Sequence, residues 1–315
     1  MKKFIIKFLT FVFTITFICS SCILLHFYII KNQNEQTYNA AIIDKVNRLK
    51  SINKPKIILI GNSNVAFGMD SALLEKEMHM PVVNLGLHGG LGNSFHEDMS
   101  KFNIRQGDII VISHSNYANC ANISSFDLAW ITIELHQELW SIIRKDEYES
   151  MIKAYPNYFL KAFKSWIRNK GNKSDEGPYA RKSFNVYGDV IYKPVKLQVS
   201  EDFFIENRTN VPKIDDICIE RLNKFIKYAD AHGANVVIAA YPIEYGKYAK
   251  FTKNDFMKFE NELKERVNCE VISSYADYFM PYNMFYNGVL HLNKIGAEHR
   301  TKLLINDLKA WKHDS

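Results

Sequence analysis

Five short apolar runs punctuate the chain: KIILIG (56–61), PVVNLG (81–86), DIIVIS (108–113), ANVVIAAY (234–241) and CEVISS (269–274). None alternates with polar residues as a strand with one wet face would, so each reads as a strand covered on both sides. Helical patterns separate them, among them SALLEKEM (71–78), IDDICIERLNKFIKYADAHG (214–233) and NKIGAEHRTKLLINDLKAW (293–311). In the second of these, Ile217, Leu222, Phe225 and Ile226 are expected on one face, with Gly233 as the stop. Strands alternating with helices imply right-handed crossovers. The pattern predicts an α/β fold, a three-layer αβα sandwich with a central parallel sheet of about five strands. A functional site is then expected at the carboxyl ends of those strands.

The N-terminus carries a different signal. FLTFVFTITFICSSCILLHFYII, residues 8–30, runs for 23 residues without Asp, Glu, Lys or Arg, long enough to cross a bilayer as a helix. Lys2, Lys3 and Lys7 precede it, which by the positive-inside rule leaves the N-terminus in the cytoplasm and the remainder outside. A cleaved signal peptide fits less well, since the run exceeds the usual length of roughly 7–15 residues and no A-x-A site follows. CSSC is a poor lipoprotein box, with Cys19 standing three before Cys22. The expected organisation is an anchor at 1–31 meeting the membrane through residues 4–30, a polar stalk at 32–54, and an α/β domain at 55–315.

Residues 118–212 are too many for a βα connection and read as a helical insertion over one end of the sheet. Its aromatics, Trp130, Trp140, Tyr155, Tyr158, Phe159, Phe163 and Trp166, are expected to form its own local core. Its segment KAFKSWIRNKGNK (161–173) carries five basic residues and no acidic one. That is a solvated face, or a contact for an anionic glycan or lipid headgroups. Over the whole chain 40 Lys and Arg against 34 Asp and Glu give a formal charge of +6, and without a basic stripe or a recognisable module no nucleic-acid partner is expected. Of five cysteines, at 19, 22, 120, 218 and 269, the last three are odd in number and irregular in spacing. They suit neither a disulfide framework nor a zinc site, and read as small buried hydrophobes.

Chemistry is concentrated where the first strand breaks, in KIILIGNSNVAFGMDS (56–71). A serine hydroxyl is a poor nucleophile until a base takes its proton. A strand-to-helix turn sets Ser63 at the carboxyl edge of the sheet, beside helix-start N–H groups that favour a developing negative charge. Taken alone, GNSN is equally a strand end followed by an N-cap. Three further loops reach the same edge: NLGLHGG (84–90), SHSNY (113–117) with Asn116 as a side-chain donor, and YNGVLHLNKIGAEHRT (286–301) with His291 as a base. Asn62, Asn64, His88 and His114 lie on these loops as candidates for positioning a substrate. No H-E-x-x-H motif supports a metal, and GLHGGLG (86–92) lacks the endings of a phosphate-binding loop, so neither metal nor cofactor is expected.

The order Ser, Gly, Asn, His on loops after strands one, two, three and the last resembles the SGNH, or GDSL-like, hydrolase superfamily in a membrane-anchored bacterial branch. The resemblance covers roughly 56–117 and 234–311 and implies a flavodoxin-like sheet. It makes Ser63 the nucleophile, His291 the base, and Ser63 N–H, Gly89 N–H and the Asn116 amide the oxyanion donors. Asn62 stands where the family has Asp, and His114 where Gly-x-Asn has glycine. Gly288 occupies the place of the Asp that family members carry three residues before the base. Asn287, four before His291, is the nearest group to orient the imidazole, a spacing at which some relatives carry an acid. An amide can accept the imidazole N–H bond but cannot stabilise imidazolium as a carboxylate does, and in a serine protease that exchange lowers kcat by about 10⁴. Either a Ser-His dyad suffices, another acid such as Asp277 swings in, or activity is low or absent.

With an outward-facing domain, the resemblance implies a serine esterase or acyltransferase acting on acyl esters, O-acetyl above all, of cell-envelope polysaccharide or another acylated glycan. Transfer would draw on a membrane acyl-donor protein. The alternative is a non-catalytic glycan-binding or assembly factor that keeps the fold, and Asn287 with Gly288 keeps it open.

Overall fold

The computed structural model describes residues 2–118, 121–168, 176–191, 200–206, 210–246 and 249–314. Five strands form one parallel sheet: β1 (Ile57–Ile60), β2 (Val82–Asn84), β3 (Ile109–Ile112), β4 (Asn235–Ile238) and β5 (Glu270–Val271), in the order β2-β1-β3-β4-β5. They are the five apolar runs. Register sets Ile57 beside both Val82 and Ile109, Ile109 beside Asn235, and Val237 beside Glu270. The chain leaves β1 for one side of the sheet and then crosses to the other. The crevice at that reversal, beyond the carboxyl ends of β1 and β3, is where open α/β sheets place ligands.

Successive side chains of a strand point to opposite faces, and both faces here are covered. Ile58, Ile60, Ile110, Ile112, Val236 and Ile238 join one apolar core, packed by α2 (Ala41–Ser51), α5 (Asn93–Ser100), α9 (Asp216–Ala231) and α10 (Lys253–Arg266). Ile57, Leu59, Ile109, Val111 and Val237 join the other, packed by α4 (Ser71–Met78) and α11 (Lys294–Asp314) through Leu74, Met78, Leu304 and Leu308. This is why the strands show no polar alternation. In α9 the buried stripe is Cys218, Ile219, Leu222, Phe225, Ile226 and Ala229, whereas Ile217 is 58% exposed and off the face expected for it. Cys218 is buried as expected, Cys269 is half-buried, and Cys120 lies outside the described residues.

The stalk expected at 32–54 is overturned. Residues 41–51 are helix α2, whose Ile42, Val46 and Leu49 are fully buried, and each such side chain contributes about 1.5–3 kcal/mol of burial. The spacing i, i+4, i+7 makes an apolar stripe, and the sheet face is there to receive it. Lys45, on the same helix, is also buried, and its Nζ donates to Asn84 O at 2.9 Å and to Gly188 O.

Helix α1 (Lys2–Gln33) includes a segment, Lys2–His26, long and apolar enough to cross a membrane, with its apolar side chains exposed. Its far end packs on the insertion, which contains α6 (Phe126–Leu135), α7 (Tyr148–Arg168) and α8 (Glu201–Glu206). His26 lies 2.8 Å from Glu134 and 2.9 Å from the Tyr155 hydroxyl, and Gln33 Nε2 donates to Ala162 O at 3.2 Å. From His26 to Gln33 and from Tyr155 to Ala162 is the same seven residues, so the two helices run side by side in one direction. Trp130, Tyr155, Phe159, Phe163 and Trp166 pack around Tyr158 and Ala162 as the insertion's own core. Of the basic segment 161–173, Lys161 pairs with Asp127 at 2.6 Å, Lys164 and Arg168 are exposed, and residues 169–173 lie outside the described residues.

Candidate active site

β1 ends at Ile60, and Gly61 carries the chain into α3 (Ser63–Gly68). A Cβ at Gly61 would come within 2.5 Å of Val65 Cγ2 and 2.7 Å of Ser113 O, so the turn closes only on glycine. Asn62 caps α3: its Oδ1 accepts from Asn64 N–H at 2.9 Å. Its Nδ2 donates to Ser115 Oγ at 2.8 Å, tying the loop after β1 to the loop after β3. Ser63 opens the helix and is half-buried. Gly86 brings the loop after β2 so close that a Cβ there would lie 2.5 Å from Ala66 N. Gly89 follows on that loop and lies against the Asn62 side chain.

His291 reaches the same place from 228 residues away, with Ser63 Oγ 2.9 Å from its Nε2. It sits on a short hairpin, β6 (Phe285–Gly288) with β7 (His291–Leu292), and pairs directly with Gly288. Its Nδ1 lies 2.9 Å from Asn287 Oδ1, and Asn287 Nδ2 donates to the Tyr179 hydroxyl at 3.0 Å. The amide oxygen faces the ring and the amide nitrogen faces Tyr179. Asn287 Oδ1 then accepts Nδ1–H, which leaves Nε2 unprotonated to accept the serine proton. Phe67, one helical turn after Ser63, stacks on the imidazole with ring centroids 4.1 Å apart and planes 10° from parallel. Burial, aided by His88, lowers the His291 pKa from 6.5 to about 4. No carboxylate pairs with His291 among the described residues. Asp277 is exposed and acts electrostatically on Asp307.

The remaining sequence candidates are placed differently. Asn64 is fully buried, donating to Asn62 Oδ1 and Ser113 O, and His114 is 1% exposed with its Nε2 2.9 Å from Glu97. Neither can meet a substrate from solvent, so their expected positioning role is corrected to that of internal braces. Each polar group sits inside because it has a polar partner there. Asn116 is exposed, but its Nδ2 donates to Ala118 O at 2.8 Å and its Oδ1 accepts from Ala118 N–H at 3.2 Å. His88 is exposed beside Gly89, its Nδ1 accepting from Gly90 N–H at 2.9 Å.

Three contributors went unread in the sequence: Phe67, Tyr179 and Arg300. Phe67 was findable as the i+4 neighbour of Ser63. Arg300 is fully buried, donating to Asn64 O at 2.7 Å, Asn64 Oδ1 at 3.1 Å and Ser113 Oγ at 2.7 Å. Burial lowers its pKa to about 9. It clamps α3 to the end of β3, and its signal was a charge four and eight residues before Leu304 and Leu308 on an apolar face. Tyr179 belongs to the insertion and gave no signal.

Comparisons with protein-family models, with curated proteins and with solved structures find no match.

Proposed function

We propose that this chain is a membrane-anchored serine esterase or acyltransferase of the SGNH type, working outside the cytoplasmic membrane on acyl esters of envelope polysaccharide. The observation that carries the chemistry is the 2.9 Å approach of Ser63 Oγ to His291 Nε2 across the topological switch point of the sheet. His291 takes the Ser63 proton, and Oγ attacks the ester carbonyl. The tetrahedral oxyanion is met by the N–H groups of Ser63 and Gly89. Imidazolium then protonates the leaving alkoxide as its bond to carbon breaks, giving an acyl-serine. Water or a sugar hydroxyl, deprotonated in turn by His291, releases the acyl group as acid or new ester. Anchoring rests on Lys2–His26, and an outward domain rests on Lys2, Lys3 and Lys7 before the apolar run.

A fluorophosphonate tests the reading. Ser63 is expected to be labelled in the wild-type protein and not in Ser63→Ala, and folded wild-type protein that resists labelling would refute it. The second reading, a glycan-binding factor on the same fold, is favoured by one feature: the third member of the triad is the amide Asn287. Unlabelled, folded protein that retains acylated glycan is the result that supports it.

A further inference from the structure

Helix α1 is unbroken from Lys2 to Gln33, and its contacts with the insertion set how high the insertion stands above a membrane that α1 crosses. A hydrocarbon core about 30 Å thick takes about 20 helical residues. Counted from Phe8, the first residue after Lys7, that core closes near His26, the residue that Glu134 and Tyr155 hold. Because α7 runs beside α1 in the same direction, its residues before Tyr155 lie toward the bilayer and those after it lie away. By the helical rise, Ile152 stands about 4–5 Å nearer the lipid than Tyr155, and Lys164 roughly 13 Å farther out. A headgroup layer is only about 5–8 Å deep on each side. The basic residues Lys161, Lys164 and Arg168 therefore face away from it, and the start of α7 meets it.

The surface at that level suits lipid. Ile152 is 67% exposed and Tyr148 36%, with the Tyr148 ring stacked on Trp140 of the 3₁₀ helix Gln137–Ile142 at 6.3 Å between centroids. Trp140 and Trp130 line a cavity of about 260 Å³ whose lining also includes Ile23 and His26 of α1. Ile23 belongs to the apolar span and is 54% exposed, so the cavity is continuous with the lipid-facing side of that span. Trp and Tyr are the side chains that favour the membrane boundary, with an apolar body and a polar tip. Nearby, Lys153 pairs with Glu149 and Lys50 with Glu138, which keeps charge from opposing that layer. We propose that this end of the insertion, Gln137–Ile142 with the first two turns of α7, is seated in the interfacial layer of the bilayer, an inference that rests on the anchoring reading above. Lipid covers Ile152, Tyr148 and the Trp140 rim of the cavity. So few side chains orient a domain that α1 already tethers and do not anchor one by themselves.

The test places the full chain in vesicles of phosphatidylcholine brominated near the headgroup end of one acyl chain, which quenches the fluorescence of tryptophans that touch it. With Trp130 left in the cavity wall, the fractional quenching is expected to fall about twofold in Trp140→Phe. Ile152→Trp and Lys164→Trp each add a tryptophan at an exposed position of the same helix, so neither disturbs the core. Quenching is expected to rise above wild type in Ile152→Trp and not in Lys164→Trp. Alkaline carbonate extraction is run on the same vesicles. Chain that stays in the membrane but shows no more quenching in Ile152→Trp than in Lys164→Trp overturns the seat and leaves the anchor intact. Chain that washes out overturns both.

Discussion

At the residue scale the deciding contact is between His291 and an amide. Asn287 lies against the imidazole but would offer no charge to the imidazolium that the proposed transfer of the Ser63 proton forms, and burial further opposes that charge. Asn287→Asp replaces the accepting oxygen in place and is expected to raise kcat by 10²-fold or more, toward the roughly 10⁴ that the same exchange costs in a serine protease. The base must be neutral to act, and its pKa of about 4 keeps it so through most of the acidic range. The acid limb of kcat/KM in the wild type is therefore expected near pH 4, and in Asn287→Asp it should move up toward 6.5 or beyond. A pH-rate profile of both proteins checks this. Arg300 makes a second residue-scale prediction. Arg300→Ala leaves Asn64 and Ser113 without their donor and opens a void, so a loss of about 2–4 kcal/mol is expected in urea unfolding, with Ser63 labelling slowed in the surviving folded protein.

At the scale of elements, helix α2 is part of the fold and not a tether. A chain beginning at residue 24 keeps His26 and Gln33 on the insertion together with all of α2, and should fold and leave the membrane fraction. One beginning at residue 55 uncovers the sheet face that Ile42, Val46 and Leu49 close, and should fail to give a cooperative melt by circular dichroism. The five strands and the helices at 71–78, 216–231 and 294–314 were legible because their patterns are local. Ile42, Val46 and Leu49 were in view too, but nothing in a short amphipathic stretch says whether a sheet is waiting for it. The site was legible as loops that bring Ser63 and His291 together. The roles of Asn64 and His114 were not, because a polar residue at a loop reads the same whether its partner is a substrate or Ser113 and Glu97.

At the scale of the whole molecule, titration couples the site to the stability of the fold. His291 and His96 are held neutral by burial, with pKa values lowered to about 4 and about 3. The unfolded chain binds their protons first as pH falls below 6.5, so both contribute stability at neutral pH that is lost between about pH 6.5 and those lowered values. Glu147 and Asp307, raised by burial, act in the opposite sense near their own pKa values. Urea midpoints are expected to drop from pH 7 to pH 5, and His96→Gln should flatten that slope; an unchanged slope in the variant would remove His96 from the account. The long apolar N-terminal helix, the alternation of strands and helices, and the serine and histidine that could meet were determined by the sequence alone, since each depends on the kind and spacing of nearby residues. Tertiary structure decided that α2 closes the core, that Arg300 locks α3, that the insertion supplies Tyr179, and that His291 leans on an amide. Those partners stand tens to hundreds of residues apart, and only the packing of the sheet selects which of them touch.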